Sequence, residues 1–215
     1  MAATESGARA RQGKRPYASP LRARRAAETK ALLIRTATGL FTERGWVGTG
    51  MRDVAKEAGV AIETLYSHYP SKRKLLDAVV DQAVVGDDAP VAVAERPEFL
   101  ALGRGRRAER IAAAASLITT IHERTAPFAR LIREAATSDA EIAGVLRDTR
   151  ERQRADIAAG LALILGRTPT VAERDGVWSI LSLEVHDLLR RESGWSRDDY
   201  EQWVSETLAR LLSRR

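Results

Sequence analysis

Thr49-Gly50-Met51-Arg52-Asp53-Val54-Ala55-Lys56-Glu57-Ala58-Gly59-Val60-Ala61-Ile62-Glu63-Thr64-Leu65-Tyr66-Ser67-His68-Tyr69-Pro70-Ser71-Lys72 is the stretch that decides how this chain reads. Two very short helices meet in it at a tight Ala58-Gly59-Val60 turn. Val54 and Ala55 fall where the helices must cross closely, Gly59 where the backbone needs positive φ, and Val60 and Leu65 where the second helix is pinned. Gly50 or Thr49 can N-cap the first helix, expected to run to about Ala58, and Asp53 in its first turn suits the helix dipole. The second is expected over about Ile62 to His68. Pro70 cannot continue it, and Ser71 can cap the next. Helices this short are marginal alone in water. The commonest reason to build two of them around one turn is to place a helix in the major groove of DNA.

Outward from this unit the periodicity stays helical. Ala27, Leu33, Ile34, Ala37, Leu40 and Phe41 recur at helical spacing between Arg22 and Arg44, and Gly45 supplies a stop. Leu75, Leu76, Val79, Val80 and Ala83 form one face of a helix to about Val85, which Gly86-Asp87-Asp88-Ala89-Pro90 breaks. Residues 1–21 hold Gly7, Gly13, Pro16, Pro20 and several arginines with few large apolar side chains, the composition of a disordered basic arm. Residues 1–86 contain 15 Lys/Arg and 8 Asp/Glu, a balance of +7, whereas residues 87–215 balance to −1. The excess positive charge therefore sits at one end, as expected when that end meets a polyanion. A solvated basic tail without a partner is the blander alternative.

The outer side of the second short helix offers Ile62, Glu63, Thr64 and Ser67 as candidates for base edges. Ile62 suits a thymine methyl and Glu63 a cytosine amino group. Tyr66 and His68 are better placed for phosphate oxygens, while Tyr69 reads as packing. Lys72-Arg73-Lys74 puts three cations in the first turn of a helix, against its dipole, at a cost of up to about 1 kcal/mol each. An anion bound there would offset that cost, so Lys72 is a candidate phosphate clamp; a solvated charge run is the other reading. Arg9, Arg11, Lys14, Arg15, Arg22, Arg24 and Arg25 can extend the footprint along phosphates or into a minor groove.

Leu40-Phe41-Thr42-Glu43-Arg44-Gly45-Trp46, the Gly50–Val60 helix and turn, and Thr64-Leu65-Tyr66-Ser67-His68-Tyr69-Pro70-Ser71-Lys72 together resemble the DNA-binding domain of the tetracycline-repressor (TetR) family. The likeness covers about residues 27–87; beyond it the chain is similar only in being helical and of suitable length. The resemblance implies a homodimeric transcription regulator, usually a repressor, that binds double-stranded operator DNA with its first three helices. It also implies C-terminal helices that form a pocket for a small-molecule effector and the dimer interface. On it, Thr49, Arg52, Thr64, Tyr66, His68 and Lys72 fall at positions that commonly touch DNA. Two departures stand out: Gly50 replaces a hydroxyl residue common in the family, and Ala61 replaces a frequent serine cap. The organisation expected is an arm at 1–21, a helix-turn-helix domain at 22–86 with its motif at about 50–69, and a helical regulatory and dimerisation domain at 87–215. The fold class is all-α.

In the C-terminal part helices are expected over about 104–125, from Pro127 to about Thr137, from Asp139 to Leu165, from Thr170 to about Glu192, and from Arg197 to Leu212, after a mixed connector at 87–103. The helix from Thr170 is apolar nearly all round, as a helix buried on more than one side must be. Either the chain's own core uses both sides, or a symmetry mate covers one. For the second case the candidate interface is Val177, Leu181, Leu188, Trp203, Leu208 and Leu211. Leu117, Ile121, His122, Phe128 and Leu131 are candidate pocket lining, though core packing explains the same residues. His122 can hydrogen-bond a ligand or simply be satisfied in the core.

The chain has no cysteine, so disulfides and thiolate metal sites are excluded. No apolar run approaches the roughly 18 residues of a membrane span, and no secretory h-region is present, so a soluble cytoplasmic protein is expected. His68, His122 and His186 form no metal-binding pair, and no phosphate loop or nucleophile elbow occurs, so no cofactor, metal or enzymatic activity is expected. A non-specific architectural DNA binder is the alternative to a sequence-specific regulator.

Overall fold

The computed structural model describes residues 20–87, 91 and 93–213. Its helices are α1 (Pro20–Arg44), α2 (Met51–Glu57), α3 (Ile62–His68), α4 (Lys72–Val85), the single turn α5 (Pro97–Leu100), α6 (Arg107–Ala136), α7 (Ala140–Leu165), α8 (Val171–Ile180), α9 (Leu183–Asp187) and α10 (Arg197–Leu211). No strand occurs among the described residues, in line with the all-α expectation. Of the basic arm, Arg9, Arg11, Lys14 and Arg15 lie outside the described residues, while Arg22, Arg24 and Arg25 are exposed on α1. No described helix is long and apolar enough to cross a membrane.

The short helices hold together through their ends. Gly45 and Gly59 adopt φ of 69° and 67°, where a side chain would be strained. After α2 the Val60 amide donates to Ala55 O at 3.0 Å and the Gly59 amide to Lys56 O at 3.1 Å, which closes the turn and satisfies two end carbonyls. Gly50 caps α2 without a side chain; the Asp53 carboxylate compensates by accepting its amide at 2.9 Å. Ala61 gives α3 no side-chain cap, whereas the Ser71 hydroxyl accepts from the Lys74 amide and starts α4.

Two cores result. The first gathers Leu33, Ala37, Phe41, Val54, Leu65 and Leu75 from α1–α4 with Phe128, Ile132, Ile142 and Val145 from the α6–α7 hairpin. The α1–α4 unit is therefore packed directly on the far end of that hairpin. The second core joins α6, α7, α8 and α10 through residues such as Ala115, Leu161, Val177 and Tyr200.

Three expectations need correction. Pro127 does not open a new helix: α6 runs through it for 30 residues. An internal proline costs about 3 kcal/mol, which the burial of Ala126, Phe128, Leu131 and Ile132 beside it offsets. The helix expected over 170–192 is broken. Leu181 leaves helical geometry (φ −94°, ψ 39°), the Ser182 hydroxyl caps α9, and Leu188–Glu192 forms a π-turn. The apolar residues of this stretch covered every side because successive short pieces bury different sides. The connector is also more than a spacer, since Phe99 and Leu102 enter the second core.

Candidate functional site

Most of the sequence-derived contact residues are accessible on α2 and α3. Arg52 on α2 and Glu63, Tyr66 and Ser67 on α3 are exposed, and Ile62, Thr64 and His68 are half-buried beside them. Ile62 spends part of its surface on the first core. Leu65 is fully buried beneath this face, so its register is fixed from below. The Ser67 hydroxyl donates to Thr64 O at 2.7 Å and can still accept. Tyr69 is buried, as packing requires.

Two residues carried over from the resemblance sit elsewhere. Thr49 is 1% exposed, with its hydroxyl 3.0 Å from Leu40 O and 2.9 Å from Gly45 O, so it closes the end of α1 rather than facing outward. Lys72 does not project as a clamp. Its Nζ lies 4.0 Å from the Trp46 ring centroid and donates to Trp46 O. Burial pushes this ammonium's pKa down, with Asp139 and Asp53 opposing. The cations of the α4 first turn are thus accounted for within the chain: Lys72 by Trp46, Arg73 by Asp148 at 2.9 Å, and Lys74 by Asp77 at 3.4 Å.

Sequence reasoning missed Trp46. It stacks on Phe41 with ring centroids 5.9 Å apart, carries Lys72 on its face, and donates from Nε1 to Asp139 Oδ2 at 3.0 Å. Asp139 is also the N-cap of α7, accepting the Glu141 and Ile142 amides. The indole N–H, then the Ile142 amide, hold its carboxyl below the usual carboxylate range. One carboxylate thereby ties the loop after α1 to the start of α7. The cap was legible from Asp139 preceding an amphipathic run; the partner 93 positions away was not.

A cavity of about 550 Å³ opens between α4, α6, α7 and α8, within the usual range for small-molecule sites. Leu117, Ile121, His122 and Phe128 line it. Leu131 does not; it is buried in the first core because it faces α1–α4. Val80 and Val84 from α4, Phe99 from the connector and Trp178 from α8 complete the wall. They escaped sequence reasoning because Val80 and Val84 look like ordinary core positions of an amphipathic helix, Phe99 lies in the connector, and Trp178 is one of many apolar residues on its helix. His122 Nδ1 is 2.8 Å from the Tyr200 hydroxyl, and burial, then His186, push its pKa down to about 3. The imidazole is neutral at ordinary pH.

The candidate interface residues divide. Val177, Leu181 and Leu208 are 1–3% exposed in the chain's own second core, and so present no surface to a second copy. Tyr200, Val204 and Leu208 of α10, and Leu212 just beyond it, are buried in the same way. Leu188 and Leu211 remain 51% and 37% exposed, and Trp203 is half-buried against the same core.

Residues 33–79 match the family model described as "Bacterial regulatory proteins, tetR family". The HTH-type transcriptional repressor Rv3405c of Mycobacterium tuberculosis is 32% identical over 75 residues, covering 32% of this chain and 40% of that protein. The chain thus spans about two fifths of the curated relative it matches. A putative TetR-family transcriptional regulator from Mesorhizobium loti superposes with a TM-score of 0.65 at 20% identity, over 87% of this chain and 96% of that one. The multidrug binding protein EbrR, solved with imidazole, superposes with a TM-score of 0.55 at 21% identity, over 86% and 96%. At those identities the structures establish the fold, while the matched segment is centred on the α2–α3 unit. Within residues 33–79 the chain is thus similar to the tetR family of bacterial regulatory proteins.

Proposed function

We propose that this chain is a transcription regulator, a repressor that binds a roughly palindromic operator as a homodimer and lets go when a small molecule fills its cavity. The observation that carries the reading is the α3 face: Glu63, Tyr66 and Ser67 exposed and Thr64 half-buried on a helix whose other side is locked by Leu65. Direct readout needs such an arrangement, with a rigid helix presenting short polar groups to base edges. Arg52 and Tyr66 supply phosphate contacts at its rim. Thr49 and Lys72 are left out, because the first core and Trp46 occupy them.

A two-fold dimer sets two such helices about 34–36 Å apart, one turn of DNA. Leu188, Leu211 and Trp203 are the interface candidates with surface left to bury. The repressor name of the mycobacterial relative supports the sign of regulation. The ligand-binding name of EbrR supports the cavity as an effector site. Binding there would act by favouring one of two spacings of the reading helices. Selection from a random duplex pool tests the proposal. An inverted repeat with half-sites about one helical turn apart should be enriched. Ser67→Ala and Glu63→Ala should change the preferred base at particular positions. A pool that emerges without sequence bias would instead support an architectural DNA binder.

A further inference from the structure

The charged groups lining the cavity are Asp81, Asp156, Glu184, Arg133, Arg150 and Arg152, three of each sign. Most are paired. Arg152 meets Asp81 at 3.3 Å, Arg150 meets Glu184 at 3.0 Å, and Arg133 bridges Glu184 at 3.7 Å and Asp187 at 2.7 Å. Asp81, Arg150, Arg152 and Glu184 keep about half their side-chain surface open to solvent, which puts them at the mouths. Asp156 lies near Arg152, and burial raises its carboxyl above the usual range. No net charge is left over to neutralise a charged guest.

Further in, the wall is aliphatic and aromatic, with His122 among it. Tyr200 is fully buried, and the partner its hydroxyl finds among the described residues is His122 Nδ1. A buried phenol that did not donate would forfeit a hydrogen bond with nothing to replace it. The hydroxyl therefore donates to Nδ1, and the imidazole proton sits on Nε2. In a neutral histidine the tautomer is set by what the other nitrogen does. Nε2–H is then the ring's remaining donor, on a residue that lines the cavity, and the ring is held by a phenol packed at 5.0 Å against His186 and 5.9 Å against Trp203.

We infer that the cavity takes an uncharged, largely apolar molecule carrying a carbonyl-type acceptor, which the Nε2–H of His122 receives. This rests on reading the cavity as the effector site and names the chemistry of its occupant. A charged headgroup brought to the same depth would meet apolar walls, with the mouth charges spent on one another and Asp156 held by burial towards its neutral form, and desolvation would cost more than they return.

Three probes with one chain and three headgroups test it: methyl decanoate, sodium decanoate and decyltrimethylammonium bromide. Each is titrated calorimetrically, below its aggregation concentration, into the whole 215-residue chain. The ester should bind about tenfold or more tighter than either ion. His122→Phe should weaken the ester about tenfold and leave the ions unchanged, and His122→Gln, which keeps an N–H donor, should restore part of the loss. Equal or tighter binding of the ammonium or the carboxylate overturns the inference. So does no binding by any probe, or an ester affinity indifferent to His122→Phe. The wild-type headgroup series needs no variant to fold. Operator affinity is measured separately: ester binding that leaves it unchanged upholds the cavity chemistry and refutes the regulatory reading instead.

Discussion

Replacing Thr49 by valine separates a folding role from a DNA contact. Thr49→Val keeps the branched shape in a site that is 1% exposed, so it opens no cavity. It removes one hydroxyl that stands 3.0 Å from Leu40 O and 2.9 Å from Gly45 O. A net hydrogen bond is worth about 1 kcal/mol, and an acceptor left unpaired in the interior costs about 1–3 kcal/mol. Gly45 is only half-buried, so water can serve its carbonyl. Leu40 O lies deeper, but as a helix carbonyl it keeps an intrahelical partner. The expected loss is therefore about 1–2 kcal/mol, or a fall in Tm of about 2–8 °C for a chain of this size. Denaturant and thermal unfolding followed by circular dichroism measure it. Operator affinity, taken well below Tm, should stay within about twofold of the parent, since no atom that meets DNA is altered. An unchanged Tm together with a clear loss of operator affinity would refute the reasoning, because it would mean that the hydroxyl faces DNA.

Further outcomes follow from the same geometry. Gly59→Ala puts a side chain at φ 67° where its Cβ meets nothing within 4 Å, so the cost is backbone strain alone. Unfolding should register about 1–2 kcal/mol, with a matching loss of operator affinity as the α2–α3 angle shifts. Ala61→Ser supplies the cap that α3 lacks at an extended residue (φ −65°, ψ 145°). It should raise stability by about 0.5–1 kcal/mol in the same unfolding assay. His122 is held near a pKa of 3 in the folded chain and returns to about 6.5 on unfolding. Between those values the unfolded state binds the extra proton, so stability should fall as pH drops from about 6.5 towards 3. His122→Phe should flatten that slope in a pH series of denaturant midpoints, and an unaltered slope would mean that the imidazole titrates normally.

How much of this was readable beforehand depended on whether the cause was local. The bounds of α3 and α4 follow from Pro70, Ser71 and Gly86, which act on their own neighbours, and the structure places those helices where the sequence did. The α2–α3 turn was readable for the same reason, since Gly59 and Val60 close it within one motif. Pro127 misled because the breaking tendency is local while the burial that overrides it comes from α1–α4 and α7. The break at Leu181 was hidden because Ser182 is an ordinary cap that an apolar run can equally well contain. Among site residues, Glu63, Tyr66 and Ser67 were legible as the outward complement of Leu65. Thr49 and Lys72 were not. A threonine at a helix end and a lysine in a first turn look the same whether they face solvent or a distant indole. The direction of Lys72 is set by Trp46, 26 positions away, and that of Trp46 by Asp139.

The central claim is that α3 reads sequence rather than merely adhering to charge. The most direct measurement is the affinity of the purified 215-residue chain for its selected inverted repeat and for a scrambled duplex of equal length, at one physiological salt concentration. A reading helix built on Leu65 predicts that the repeat binds at least about a thousandfold tighter, with Glu63→Ala and Ser67→Ala eroding that ratio. Equal affinity for both duplexes would contradict the account.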